Sequence, residues 1–159
     1  MYLIEKMVLG SVWVITFLSL WFTPRKNAAP ASFIYLLTQV FTWILGLFAV
    51  EYHWIEYPVR ELSKANSTSF SYEFFIFPVI TVYFILHYPK DKPLLTRILY
   101  FVAFCSVFTF IEVMLEKYTF VVEYHAWRWY WTWMSMAVVF YIVMIIYRWF
   151  YRMRGVFSI

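Results

Sequence analysis

The sequence predicts an all-α, polytopic membrane protein with five transmembrane helices, its N-terminus outside and its C-terminus inside. Three observations predict it: five continuous apolar runs, a shortage of charge, and basic residues gathered at the ends of the runs. The 159 residues are 64% hydrophobic and only 14% charged, where a soluble domain carries about 25% charged residues. So few charges cannot coat a soluble fold of this size, and lipid is the solvent its surface must meet. The runs are continuous rather than alternating, which excludes a transmembrane β-barrel. The net charge of +4 flanks these runs, as insertion requires, and does not point to nucleic acid.

The runs cover about residues 7–22, 31–50, 70–88, 94–115 and 129–150, each close to the roughly 20 residues that cross hydrocarbon. The first, Met7 to Phe22, is short and has room to extend into Leu3-Ile4. It lacks a basic n-region, because Glu5 offsets Lys6, and no small-x-small site follows it, so it reads as a retained helix rather than a signal peptide. The second run opens at Pro30-Ala31, with Pro30 at the first helical position, where a missing N–H costs nothing. The third is closed by Pro89 and Pro93, and the fifth by Tyr151-Arg152-Met153-Arg154. The whole chain, 1–159, then forms a single helical bundle.

Orientation follows from the basic residues. Arg25, Lys26, Lys90, Lys92, Arg97, Arg148, Arg152 and Arg154 share one side; Lys6, Arg60, Lys64, Lys117 and Arg128 share the other, diluted by six glutamates. Eight against five places the first side in the cytoplasm. Aromatic residues frame the same picture: Tyr52, Trp54 and Tyr57, then Tyr118 and the stretch Tyr124 to Trp133, mark the outer headgroup level. The lone Cys105 lies in an apolar run and offers no intramolecular disulfide.

Chemistry points to Glu73 and Glu112, the acids inside apolar runs. A carboxylate in hydrocarbon costs several kcal/mol unless it is paired, hydrated or protonated. Each lies roughly one helical turn, about 5 Å, below the outer boundary, on runs joined by the short link His87 to Pro93. They are expected at matched depth on neighbouring helices. They would then share a proton or cation, or pair with Lys117, Arg128, His53 or His125, or snorkel into water as ordinary helix ends. Pro78 cannot donate to the carbonyl of Phe74, which predicts a kink and a freed carbonyl beside Glu73. Thr38, Gln39, Thr42, Ser106, Thr109, Thr132 and Ser135 are expected as packing contacts between helices.

A second constellation, Tyr124-His125-Ala126-Trp127-Arg128-Trp129, sets a titratable ring and a cation among aromatic plates. It suits an interfacial anchor, or a phosphate or isoprenoid-phosphate headgroup. No metal-ligand spacing, phosphate loop, nucleophile elbow or CxxC occurs, so no cofactor, metal or catalytic residue is assigned.

The stretch Phe77-Pro78-Val79-Ile80-Thr81-Val82-Tyr83-Phe84 with Tyr88-Pro89, and later Glu112, Lys117, Tyr124-His125, Trp127 and Trp133 to Ser135 before Phe140, resembles a family. Its members are small, uncharacterised multi-spanning membrane proteins of spore-forming Firmicutes. The resemblance covers roughly residues 70–150 and departs at Ala126, where a small flexible residue such as glycine is expected in the turn before Trp127. It implies a bacterial cell membrane and a sporulating host, and carries no activity.

The reading favoured by the sequence is a non-enzymatic, multi-pass cell-membrane protein. It would bind a lipid headgroup or a membrane-protein partner through Glu73, Glu112, His125, Trp127 and Arg128. The rivals are an intramembrane enzyme acting on a lipid or isoprenoid with paired glutamates, and a cation or proton transporter. The enzyme needs both carboxyls on one lipid-accessible cavity; the transporter needs a polar route past Gln39 and Thr42.

Overall fold

A computed structural model describes residues 3–21, 24–61 and 64–153. Phe22, at the end of the first predicted run, and Arg154 lie outside the described residues. Helix α1 covers Leu3–Trp21, a 3-10 turn Arg25–Asn27 leads into α2 at Ala28–Glu51, a π-helical segment Tyr72–Ile76 runs into α3 at Phe77–Leu86, α4 covers Leu94–Tyr118 and α5 Trp129–Met153. Four of these helices, α1, α2, α4 and α5, are long and apolar enough to cross a membrane; Tyr72–Leu86 is shorter. Their outward faces are apolar: Leu36, Val40, Leu95, Leu99, Val107, Phe110 and Ile145 all stand exposed. A surface of that kind suits a bilayer and not water.

Several boundaries differ from expectation; α4 and α5 run on to Tyr118 and Met153. The first helix begins at Leu3, so its charged pair Glu5-Lys6 is helical. The second begins at Ala28 rather than at Pro30, because the 3-10 turn feeds directly into it. Pro30 still sits in the first turn, where backbone N–H groups have no intrahelical acceptor. The third ends at Leu86, short of Tyr88.

An all-helical reading also misses a small cap. Strand β1, Ile55–Glu56, pairs antiparallel with β2, Glu123–Tyr124, in the register Ile55 opposite Tyr124 and Glu56 opposite Glu123. The carbonyl of Trp54 accepts from the backbone N–H groups of His125 (3.1 Å) and Trp127 (3.2 Å), and Val59 N–H donates to Phe120 O. The two long loops therefore lie at one end of the bundle. His53 reverses the chain into β1 with φ of 53°, the one positive φ among described non-glycine residues. Ala126 thus makes the turn before Trp127 without needing glycine.

The core sits toward the opposite, basic end. Phe84 of α3 is fully buried and stacks on Phe140 of α5 at 4.5 Å between centroids, with Tyr100, Phe101 and Phe104 of α4 packed around it. Ile34, Val82, Met136, Val139 and Val143 complete an apolar plug. The backbone of α3 packs closest to α2 and α5, while α4 packs on α5. Helices α3 and α4 are neighbours through these bulky rings rather than through close backbone approach. Helix α1 docks on the π segment, where Trp13 stacks on Phe75 at 4.6 Å and donates to Ser71 Oγ at 2.5 Å.

Candidate functional site: an acidic cavity beneath the cap

Helix α3 carries the site because its first turns are wound loosely. Pro78 has no N–H to donate, and the segment before it widens into a π turn closed by Phe77 N–H to Tyr72 O. The freed carbonyls are caught by one face of α2. Tyr35 Oη and Gln39 Nε2 donate to Phe74 O at 2.6 and 2.9 Å, and Thr42 Oγ1 donates to Glu73 O at 2.8 Å. These three residues follow the i, i+4, i+7 spacing of a single helical stripe. Thr38, by contrast, bonds back to Ile34 O on its own helix.

This anchoring fixes Glu73 and its neighbour Tyr72 in different directions, as a rotation of about 100° per residue demands. Glu73 is only 2% exposed. Its Oε2 accepts from Thr68 Oγ1 at 2.9 Å, and its Oε1 has no hydrogen-bond partner among the described residues. The carboxyl rests on Gly46 of α2: a Cβ built there would lie 1.6 Å from Oε1. Glycine is required at this point by close approach, not by backbone conformation.

Tyr72 turns instead toward α4 and donates to Glu112 Oε2. Glu112, 8% exposed, also accepts at Oε1 from Tyr124 Oη (2.5 Å) and Thr132 Oγ1 (2.8 Å). Thr132 in turn accepts from Trp127 Nε1 at 2.8 Å. Four parts of the fold, the π segment, α4, β2 and α5, thus converge on one carboxylate held by three hydroxyls. Neither glutamate snorkels to water, and neither is paired with Lys117, Arg128, His53 or His125; the ion pair found among the described residues joins His125 to Glu56 on the cap.

Both carboxyls line one cavity of about 130 Å³. Its roof is Trp54, Tyr57 and Trp127 from the cap; its walls are Gly46 and Ala49 of α2 and Ser135 and Val139 of α5. Of α2 and α5, which wall the cavity, α2 also contributes Leu45 and Phe48, both exposed on the outer surface of the bundle, so the cavity opens past them. The same two helices touch at their basic ends, where Phe33 stacks on Phe150 at 4.4 Å. No Lys, Arg or His is among the described residues that line the cavity.

Of the residues singled out from sequence, Glu73, Glu112 and Trp127 line this cavity; His125 and Arg128 do not. Strand alternation explains the division. Ile55 and Tyr57 point inward and Glu56 outward; opposite them Tyr124 points inward to Glu112, so His125 faces out and meets Glu56 at 3.1 Å. Sequence reasoning did not find Gly46, Tyr57, Tyr72 or Thr68 as parts of the site. One signal was there: Gly46 is one of only three glycines and stands inside a long apolar run.

The cap phenols register the acidic surroundings. Burial pushes the Tyr57 phenol well above the usual value of about 10, and the nearby carboxylates of Glu112 and Glu73 push it further. Tyr124 is raised by burial and then by Glu112. A phenol raised on folding contributes stability that is present below its unfolded pKa and lost as pH rises through its folded value. Alkaline titration followed by phenolate absorbance is therefore expected to leave a late set of tyrosines that ionise only with unfolding, above about pH 10. Tyr57→Phe and Tyr124→Phe should shrink that set. Smooth ionisation of every tyrosine near the usual value would contradict the buried cap.

Fold and cavity together define an all-helical protein with four helices fit to cross a membrane and an acidic, aromatic-roofed cavity at one end of the bundle. Compared with known proteins, the chain matches no family model, no curated protein and no solved structure.

Proposed function

We propose that the chain is a five-span integral membrane protein of a cell membrane, N-terminus outside and C-terminus inside, that binds the headgroup of a lipid in the cavity beneath the cap. Tyr72–Leu86 serves as the short fifth span. At roughly 1.5 Å per residue its 15 residues reach about 22 Å, less than the hydrocarbon thickness. Its polar lead-in, Thr68, Ser69 and Ser71, is buried in protein, the condition under which irregular backbone is tolerated at membrane depth. The basic residues near the end opposite the cap support the orientation. The resemblance of residues 70–150 to membrane proteins of spore-forming Firmicutes supports a bacterial cell membrane.

One observation carries the binding reading: Glu73 Oε1 is buried and has no hydrogen-bond partner among the described residues, on the wall of a cavity that opens past exposed apolar side chains. A buried acceptor left without a donor costs about 1–3 kcal/mol, and an arriving headgroup would remove that cost. Acid–base chemistry by paired glutamates is less favoured, because both oxygens of Glu112 are committed to hydroxyl donors. Transport is less favoured still, because the apolar plug around Phe84 and Phe140 lies between the cavity and the basic end.

Native mass spectrometry of protein extracted in mild detergent tests the reading. The wild type is expected to retain one lipid per chain. Gly46→Leu, whose side chain would take the space of the Glu73 carboxyl, is expected to lose it. A wild type that sheds lipid as readily as the variant would refute lipid binding at this cavity.

A further inference from the structure

We infer that the lipid headgroup held in the cavity is a cationic ammonium, not a phosphate or a sugar; this rests on the lipid-binding reading above. The charge of the walls decides between them. Two carboxyls line the space, and no basic residue is among its described lining. An anion brought there would lose its water without meeting a positive charge, which is costly in a buried site. A headgroup phosphate, the ligand that the basic stretch His125 to Arg128 suggests, finds neither of those side chains at the cavity.

The roof decides further. Trp54, Tyr57 and Trp127 come from the cap and Tyr72 from the π segment, and Trp54 and Trp127 lie 5.9 Å apart between ring centroids. Ammonium groups are drawn to the faces of aromatic rings, tryptophan most strongly. Size agrees. A cavity of about 130 Å³ is close to the ~150 Å³ that takes one benzene-sized molecule, the size of one compact headgroup. Water alone would satisfy Glu73 Oε1, but it gives no reason for a mouth bounded by Leu45 and Phe48.

The two glutamates then divide the work. Glu112 is saturated by Tyr72, Tyr124 and Thr132 and holds π segment, cap and α5 in register. Glu73 keeps one oxygen free and is the contact for the cation. Gly46 is the positioning residue for Glu73, since any larger side chain displaces the carboxyl while leaving the residue itself in the protein.

The test uses the purified full chain in dodecyl maltoside and three probes with one decyl tail: decylammonium, decyl phosphate and decyl thiomaltoside. Binding is read by native mass spectrometry and by tryptophan fluorescence, and folding of each variant by its thermal midpoint. The ammonium probe is expected to bind at least about ten-fold tighter than either of the others. Glu73→Gln should lower its affinity by about ten-fold or more, Gly46→Ala should lower it as well, and Glu73→Asp should restore part of it. Equal binding of all three probes, blocked by Gly46→Leu, would keep the lipid cavity and overturn the charge selectivity. Binding of none of them would overturn both. Tighter binding of decyl phosphate, or ammonium binding that ignores Glu73→Gln in a folded variant, would also overturn the inference.

Discussion

Glu112→Ala is expected to destabilise the protein by about 3 kcal/mol, measured by thermal or denaturant unfolding in detergent with near-UV circular dichroism. The variant removes the acceptor of three hydroxyls at once: those of Tyr72, Tyr124 and Thr132. Each buried donor left without a partner costs about 1–3 kcal/mol, and the adjoining cavity admits water that relieves part of the total. The cap should loosen first, because Tyr124 belongs to β2 and Trp127 is held through Thr132. Glu112→Gln keeps an acceptor oxygen for Tyr124 and Thr132 and should cost about 1 kcal/mol. A Glu112→Ala protein as stable as wild type would mean that this carboxylate is not the junction of the fold.

Phe84→Ala is expected to cost about 3–5 kcal/mol in the same assay, the usual range for removing a buried aromatic ring. Phe84 is wholly enclosed, with Phe140 stacked on it and Tyr88, Tyr100, Phe101 and Phe104 around it. Ring packing joins α3 to α4 at this level, together with the hydrogen bond from Tyr100 Oη to Phe84 O at 3.2 Å, which the substitution leaves in place. The acidic cavity lies at the other end of α3. Where the variant remains folded, at low temperature, it should still carry its lipid in native mass spectrometry. Loss of lipid from a folded Phe84→Ala protein would show that plug and cavity act as one unit.

The contrast between these two residues bears on what the sequence makes legible. Lipid imposes a long apolar run on every span, so the helices stand out from hydropathy alone. An acid in such a run is costly, so Glu73 and Glu112 stand out for the same reason. Their partners do not. Tyr124 and Trp127 sit where any interfacial aromatic would, and headgroup-level rings are so common that their inward turn cannot be separated from an ordinary belt. That turn depends on the pairing of two strands of two residues each, too short to leave a period-2 pattern. Pro78 predicts a freed carbonyl at Phe74, and the structure supplies its partners, Tyr35 and Gln39. The pattern Tyr35, Gln39, Thr42 is readable on α2 only once α3 is known to lie beside it. His125 and Arg128 attract notice as a basic pair in an aromatic stretch, yet strand alternation turns His125 to Glu56 on the outer face of the cap.

A structure of the protein determined in lipid nanodiscs tests the central claim most directly. The account predicts headgroup density beneath Trp127 within about 3.2 Å of Glu73 Oε1, hydrogen-bond or ion-pair distance, with a tail leaving between α2 and α5 past Leu45 and Phe48. A seam closed between those helices, or a lysine or arginine of the chain seated on Glu73, would contradict it.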